Sequence, residues 1–247
     1  MSRFFLEVAY DGQKHSGFQI QNNAPTIQGE INQSLEVILK GKIVTHGSSR
    51  TDAGVHAYQN FLHVDLETDE ILKRVYNINA ILPPSIVLRN VYKMTSDAHA
   101  RFSATARSYK YVIYAQKNPF LKDFGYFYPF PINLEEMNVV AKSIVGRRDF
   151  SSFSKRNTQV NNFYCDIQEA EWSKAMDCIV FEIKANRFLR GMVRGLVATM
   201  LKVGRGKISL ADFEVILSRK SCGSADFTAP GRGLFLEKVH YPEGFFT

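Results

Sequence analysis

Apolar residues open the chain as Phe4-Phe5-Leu6 and Val8-Ala9, so Phe4–Tyr10 reads as an alternating strand. After Pro25-Thr26, Ile27, Ile31, Leu35, Ile38 and Leu39 return at helical spacing, and Gly41 offers a stop. Leu62, Val64 and Leu66 share one face of a second strand, beside His63 and Asp65. A short helix is expected after Asp69, using Ile71, Leu72 and Val75, and Pro83-Pro84 ends what precedes it.

The second half repeats this mixture. Arg107–Ala115 alternates, with Tyr109, Tyr111 and Ile113 on one face. Asn133 and Glu136 form a capping pair ahead of Met137, Val140, Ala141, Ile144 and Val145, which predicts a helix. Trp172 and Ile179–Ala185 predict paired strands, and the longest helix is expected from Phe188 to Val203. A last helix follows Ser209 and Asp212, and a strand covers Gly233–Val239. Strands and helices alternate in both halves, which predicts an α+β chain of two α/β domains built alike, 1–100 and 101–247. Antiparallel strands joined edge to edge would let the halves share one sheet. Gly231-Arg232-Gly233 is a turn signal and no nucleotide loop.

A chain of 247 residues, 45% hydrophobic and 22% charged, fits a folded protein of one large or two modest domains. No run of eighteen apolar residues is present, so no membrane span is expected. Glu7 interrupts the first apolar run and no small-residue cleavage site follows, so no export signal is expected. Cys165, Cys178 and Cys222 match no disulfide or metal spacing and read as inert thiols of a reducing cytoplasm. The six histidines, His15, His46, His56, His63, His99 and His240, form no compact metal motif either.

Charge changes the picture more than composition does. The net charge is +7, yet residues 1–100 carry 9 basic and 10 acidic side chains while 101–247 carry 22 and 14. Arg187, Arg190, Arg194, Lys202, Arg205 and Lys207 fall in one run without an acid, which points to a polyanionic partner such as nucleic acid. On a continuous helix, Arg187, Arg190 and Arg194 would share one face beside an apolar sector. That face reads either as an ordinary solvated surface or as a set of phosphate contacts, and Arg194 at its apolar edge could instead meet a buried carboxylate.

The densest polar segment is Ser48-Ser49-Arg50-Thr51-Asp52-Ala53-Gly54-Val55-His56-Ala57, placed between strands and so expected to be a loop. Asp52 there reads either as a structural turn residue or as a catalytic carboxylate. His56, four residues on, makes a hydrolytic Asp52–His56 pair a rival reading. Tyr109, between Arg107 and Lys110, reads as sheet packing or as a base-stacking ring. The aromatic stretch Phe124–Phe130 reads as a partly buried connection or a contact surface.

Ser49-Arg50-Thr51-Asp52-Ala53-Gly54-Val55-His56-Ala57 resembles the Gly-Arg-Thr-Asp-Ala-Gly-Val-His-Ala signature of the tRNA pseudouridine synthase A family. Further elements resemble the family in the same order. They are Tyr10-Asp11-Gly12, Gly17-Phe18-Gln19-Ile20-Gln21, Thr26-Ile27-Gln28, Asn79 with Leu82-Pro83, and Ala100-Arg101-Phe102-Ser103-Ala104 running to Arg107, Tyr109 and Tyr111. The last is Asn186 with Phe188-Leu189-Arg190 and Met192-Val193-Arg194. Ser49 replaces a glycine, Phe18 a tryptophan, and Ser85 a common aspartate.

The resemblance implies a pseudouridine synthase fold of two similar ferredoxin-like α/β domains sharing a central antiparallel sheet. It implies Asp52 as the essential aspartate, Tyr109 as the ring against the target uracil, and Arg194 as the basic partner of Asp52. Arg50 would hold the flipped nucleotide, with Arg187, Arg190, Arg205 and Lys207 as further RNA contacts. The implied activity is isomerisation of uridine to pseudouridine at positions 38, 39 and 40 of the tRNA anticodon arm, by a cytoplasmic homodimer needing no cofactor or metal. The rivals are a synthase acting on other RNA uridines, an RNA-binding module without catalysis, and the Asp52–His56 hydrolase.

Overall fold

The computed structural model describes residues 1–156 and 160–246, and within them the chain forms two compact units. Residues 1–105 and 235–247 form the first unit, and residues 106–234 the second.

In the first unit, β1 (Ser2–Tyr10) leads to α1 (Ile27–Leu39), then β2 (His46–Gly47), β3 (His56–Leu66), α2 (Val75–Ile81) and β4 (Ile86–Met94). β1 lies between β3 and β4 and is antiparallel to both. Both faces of β1 are covered, so Phe4 through Tyr10 are all buried and the expected alternation is absent. Glu7 is the exception that has to be solvated by protein. Burial alone would raise its carboxyl, but donors from Gln59, Asn90 and Tyr92 at 2.8, 2.8 and 3.1 Å hold it below the usual range.

Thr26 caps α1, its hydroxyl accepting from the Gly29 amide at 3.2 Å. The helix ends on Lys40 in the left-handed region, one residue before the glycine expected to stop it. The helical turn expected after Asp69 is a short 3-10 segment, Glu70–Lys73, followed by α2.

The second unit begins with β5 (Ala106–Tyr114) and β6 (Tyr126–Phe127), then α3 (Leu134–Ser143), β7 (Gly146–Asp149), β8 (Tyr164–Ala175) and β9 (Cys178–Ala185). The order β6-β5-β9-β8-β7 is antiparallel except for the parallel β5–β6 pair. β8 and β9 form the expected hairpin, turned over Met176 in the left-handed region. Asn133 caps α3, accepting from the Glu135 and Glu136 amides at 3.0 and 3.2 Å. α4 (Met192–Gly204) and α5 (Leu210–Ser218) follow, α5 with a complete Ser209–Asp212 capping box. Trp172 is buried against Phe181, with ring centroids 4.7 Å apart, and donates its Nε1–H towards the Met200 sulfur at 3.2 Å.

Two expectations need correction. The long helix starts at Met192 rather than Phe188, because Gly191 takes φ +75° at the N-cap and breaks the ladder before it. Arg187 and Arg190 therefore lie in the approach to α4, and share no helical face with Arg194. The second correction concerns the C-terminus. β10 (Leu234–His240) runs parallel to β3, pairing Phe235 with His56 and Leu236 with Ala57, so residues 235–247 join the first unit. The architecture is mixed α+β with mostly antiparallel strands. Among the described residues no helix is long and apolar enough to cross a membrane.

Candidate active site

The Ser48–Val55 loop joins β2 to β3, and the segment after β1 clamps it. The Phe18 amide donates to the Thr51 carbonyl at 3.0 Å, and the Gly54 amide to the His15 carbonyl at 3.4 Å. Two glycines make this approach possible. A Cβ on Gly12 would stand 2.0 Å from the Val55 carbonyl oxygen, and one on Gly17, which has φ +100°, would stand 2.9 Å from that of Thr51. A turn closes from the Val55 amide to the Asp52 carbonyl at 3.2 Å, with Gly54 at φ +74°.

Side chains lock the same loop from below. The Thr51 and Tyr10 hydroxyls are 2.9 Å apart. Asn60, wholly buried, donates to the Ser49 carbonyl at 3.0 Å and to the Tyr10 hydroxyl at 3.3 Å. Burial pushes the Tyr10 hydroxyl up to about 12, so it stays a neutral donor and acceptor. Asp52 is half-buried and Arg50 exposed, while Thr51 between them is buried. The loop thus has a rigid floor and an accessible carboxylate, the arrangement that acid–base or nucleophilic chemistry needs.

His56 is buried with its ring stacked on Phe235, centroids 4.7 Å apart. Its Nδ1 lies 3.0 Å from the Asp11 carboxylate and 3.3 Å from the Gly12 amide. These contacts tie β3 to the clamping segment, a structural role for His56. Ser49, where the family signature has glycine, is not among the residues of positive φ, so its side chain brings no backbone strain. Phe18 is buried over Gly47, where an added Cβ would come within 2.3 Å of its ring.

In the second unit, Tyr109 is buried on β5 opposite Ile183, its ring meeting Phe188 edge-on at 5.1 Å. Arg194, in the first turn of α4, is half-buried and donates from Nε to the Ala229 carbonyl at 2.7 Å. Its charge lies close enough to Tyr111 to lower that hydroxyl, although burial dominates and raises it overall. The Tyr111 hydroxyl donates to the Pro230 carbonyl at 2.8 Å.

The remaining cations are placed differently. Arg187 is half-buried, Arg190 and Lys207 are exposed, and the Arg205 guanidinium lies 3.9 Å from the Phe130 ring centroid. Lys202 pairs with Asp226 at 2.7 Å, so the run of cations does meet an acid in space. Burial pushes the Cys165 thiol up to about 12 and keeps it unreactive. Among the described residues no group of three His, Cys, Asp or Glu side chains is placed to hold a metal ion.

A family model described as tRNA pseudouridine synthase matches residues 140–242. A tRNA pseudouridine synthase A of Bacteroides fragilis is 41% identical over 249 residues, covering 100% of this chain and 99% of that protein. Another, of Parabacteroides distasonis, is 38% identical over 248 residues, covering 100% and 98%. The chain belongs to the tRNA pseudouridine synthase A family. It is by that membership an isomerase. The same name is carried by a Staphylococcus aureus protein 35% identical over 244 residues, covering 98% of this chain and 92% of that one. Among solved structures, a chain from the crystal structure of a Cbf5-Nop10-Gar1 complex aligns with 80% of this chain and 54% of its own length, at TM-score 0.37 and 11% identity. So distant a likeness carries no argument.

Asn60 is the residue that sequence reasoning missed. An asparagine directly before the apolar pair Phe61-Leu62 in a strand was the available signal, since a buried amide must find partners.

Proposed function

We propose that the chain converts uridine to pseudouridine in tRNA, at positions 38, 39 and 40 of the anticodon arm, as a cytoplasmic homodimer of two-domain, ferredoxin-like subunits. The clamped loop carrying an accessible Asp52 is the observation that carries this reading. In the reaction the C1′–N1 bond breaks, the uracil turns, C1′ joins C5, and the C5 proton is lost as N1 gains one. No atom is added and no electron is transferred, so the reading requires neither cofactor nor metal.

Asp52 is assigned the carboxylate role at the sugar, by attack at C1′ or by removal of the C2′ proton. Tyr109 is assigned to the face of the target uracil, and Arg194 to keeping Asp52 ionised as water leaves the site. The target base must leave its stack to be reached. Arg50, Arg187, Arg190, Arg205 and Lys207 are assigned to the RNA, where exposed cations release counterions on binding phosphate.

The test is incubation with an unmodified tRNA transcript, followed by carbodiimide treatment and primer extension. Stops one nucleotide on the 3′ side of positions 38, 39 and 40 are expected. Stops elsewhere would favour a different RNA target, and tight binding with no stop would leave a module without catalysis.

A further inference from the structure

Next to the Asp52 loop, the first unit carries a cleft of about 860 Å³, lined by residues of α1, by Lys42 to Gly47 and by His99, Arg101 and Phe102. Arg50, two residues before Asp52, is part of its lining. Lys42, Arg50 and Arg101 bring positive charge to it, and Glu36 is the one acid among the lining side chains.

Phe102 stands at this cleft with 75% of its surface exposed. The ring is nonetheless held. His99 backs it, with centroids 4.3 Å apart, and the Arg101 guanidinium is 5.6 Å from its centroid. The backbone beneath is fixed as well. His99 Nδ1 accepts from the Arg101 and Phe102 amides at 3.1 and 3.4 Å, and the His99 amide donates to the Ser103 hydroxyl at 2.9 Å. The Ala100 amide donates to His63 Nδ1 at 3.3 Å.

A preordered aromatic face flanked by cations is the equipment with which proteins bind single-stranded nucleic acid. A base-paired stem has its base faces covered and could not use such a ring, whereas an unpaired nucleotide can. We propose that this cleft is a second RNA subsite, which takes an unpaired nucleotide of the anticodon loop near the reacting one. Its base stacks on Phe102, and Lys42 and Arg101 meet its phosphates. The proposal rests on the tRNA reading above and extends it from the reacting nucleotide to a loop nucleotide near it.

Binding of an unmodified tRNA transcript across a salt series tests it, with wild-type protein, Phe102→Ala, Phe102→Trp and Lys42→Ala. Tyr76→Ala serves as control, removing a ring 82% exposed on α2 and outside the cleft. Phe102→Ala should weaken binding about ten-fold at every salt concentration, and Phe102→Trp should restore it. Lys42→Ala should reduce the salt slope by about 0.7, the loss of one single-strand phosphate contact. Affinities of Phe102→Ala and Lys42→Ala within two-fold of both wild type and Tyr76→Ala would overturn the subsite, even if wild-type protein makes pseudouridine. If the expected losses appear but wild-type protein leaves uridine unchanged, the subsite stands and the catalytic reading falls.

Discussion

Asn60→Ala probes the support of the Asp52 loop without touching the loop itself. The substitution deletes the donors to the Ser49 carbonyl and the Tyr10 hydroxyl, and the acceptor of the Phe61 amide at 2.9 Å. Each bond contributes about 1 kcal/mol net, and a buried carbonyl left without a donor costs about 1–3 kcal/mol. A loss of about 3–5 kcal/mol follows from the two bonds and the orphaned carbonyl together, which lowers Tm by roughly 6–20 °C at about 2–4 °C per kcal/mol for a chain of this size. Because the loop floor is loosened, single-turnover conversion at saturating protein should fall about 100-fold well below the melting range, with tRNA affinity nearly kept.

A cycle with Tyr10→Phe refines the test. The two side chains share one hydrogen bond, so their effects on stability should fall short of additivity by about 1 kcal/mol. An Asn60→Ala protein with wild-type Tm and wild-type turnover would refute the view that this network positions Asp52.

Three further outcomes are expected. Arg187→Ala and Arg190→Ala should each weaken tRNA binding and reduce its salt slope by about 1, read from affinities across a salt series. Burial, with the nearby His99, Arg3 and His46 charges, pushes His63 down to about 4 from 6.5. The unfolded chain therefore binds that proton first, so stability is full above about pH 6.5 and falls towards pH 4; His63→Phe should flatten this slope in thermal melts. Turnover should survive exhaustive chelation when monovalent salt keeps the tRNA folded, and a loss restored by one specific divalent ion would contradict a metal-free reaction.

Local chemistry in the sequence anticipates α1, α3 and α5, whose caps Thr26, Asn133 and Ser209 all accept from helix amides. The pair expected of Asn133 and Glu136 is only half made, because the Asn133 amide donates to the Gly204 carbonyl at 2.7 Å instead. The start of α4 was not legible, because Phe188, Leu189, Met192 and Val193 keep a helical period across Gly191, whose backbone leaves the helix. β7 was hidden because Gly146-Arg147-Arg148-Asp149 contains no apolar residue to show a strand period. The return of β10 to β3 is a pairing across about 180 residues, and no local pattern encodes it. At the site, the Arg50–Asp52 motif is plain in the sequence, but its floor is assembled from Tyr10, Gly12, Gly17 and Asn60, which lie on separate segments. Only folding brings such residues together.

Asp52→Asn tests the central assignment most directly, since it keeps the side chain's size and removes its charge. The measurement is single-turnover pseudouridine formation at saturating protein, with tRNA affinity and a thermal melt on the same sample. The assignment predicts a folded protein that binds tRNA within a few-fold of wild type and forms no pseudouridine. A folded Asp52→Asn protein converting uridine at more than a few per cent of the wild-type rate would contradict it, and Asp52 would then be a turn residue alone.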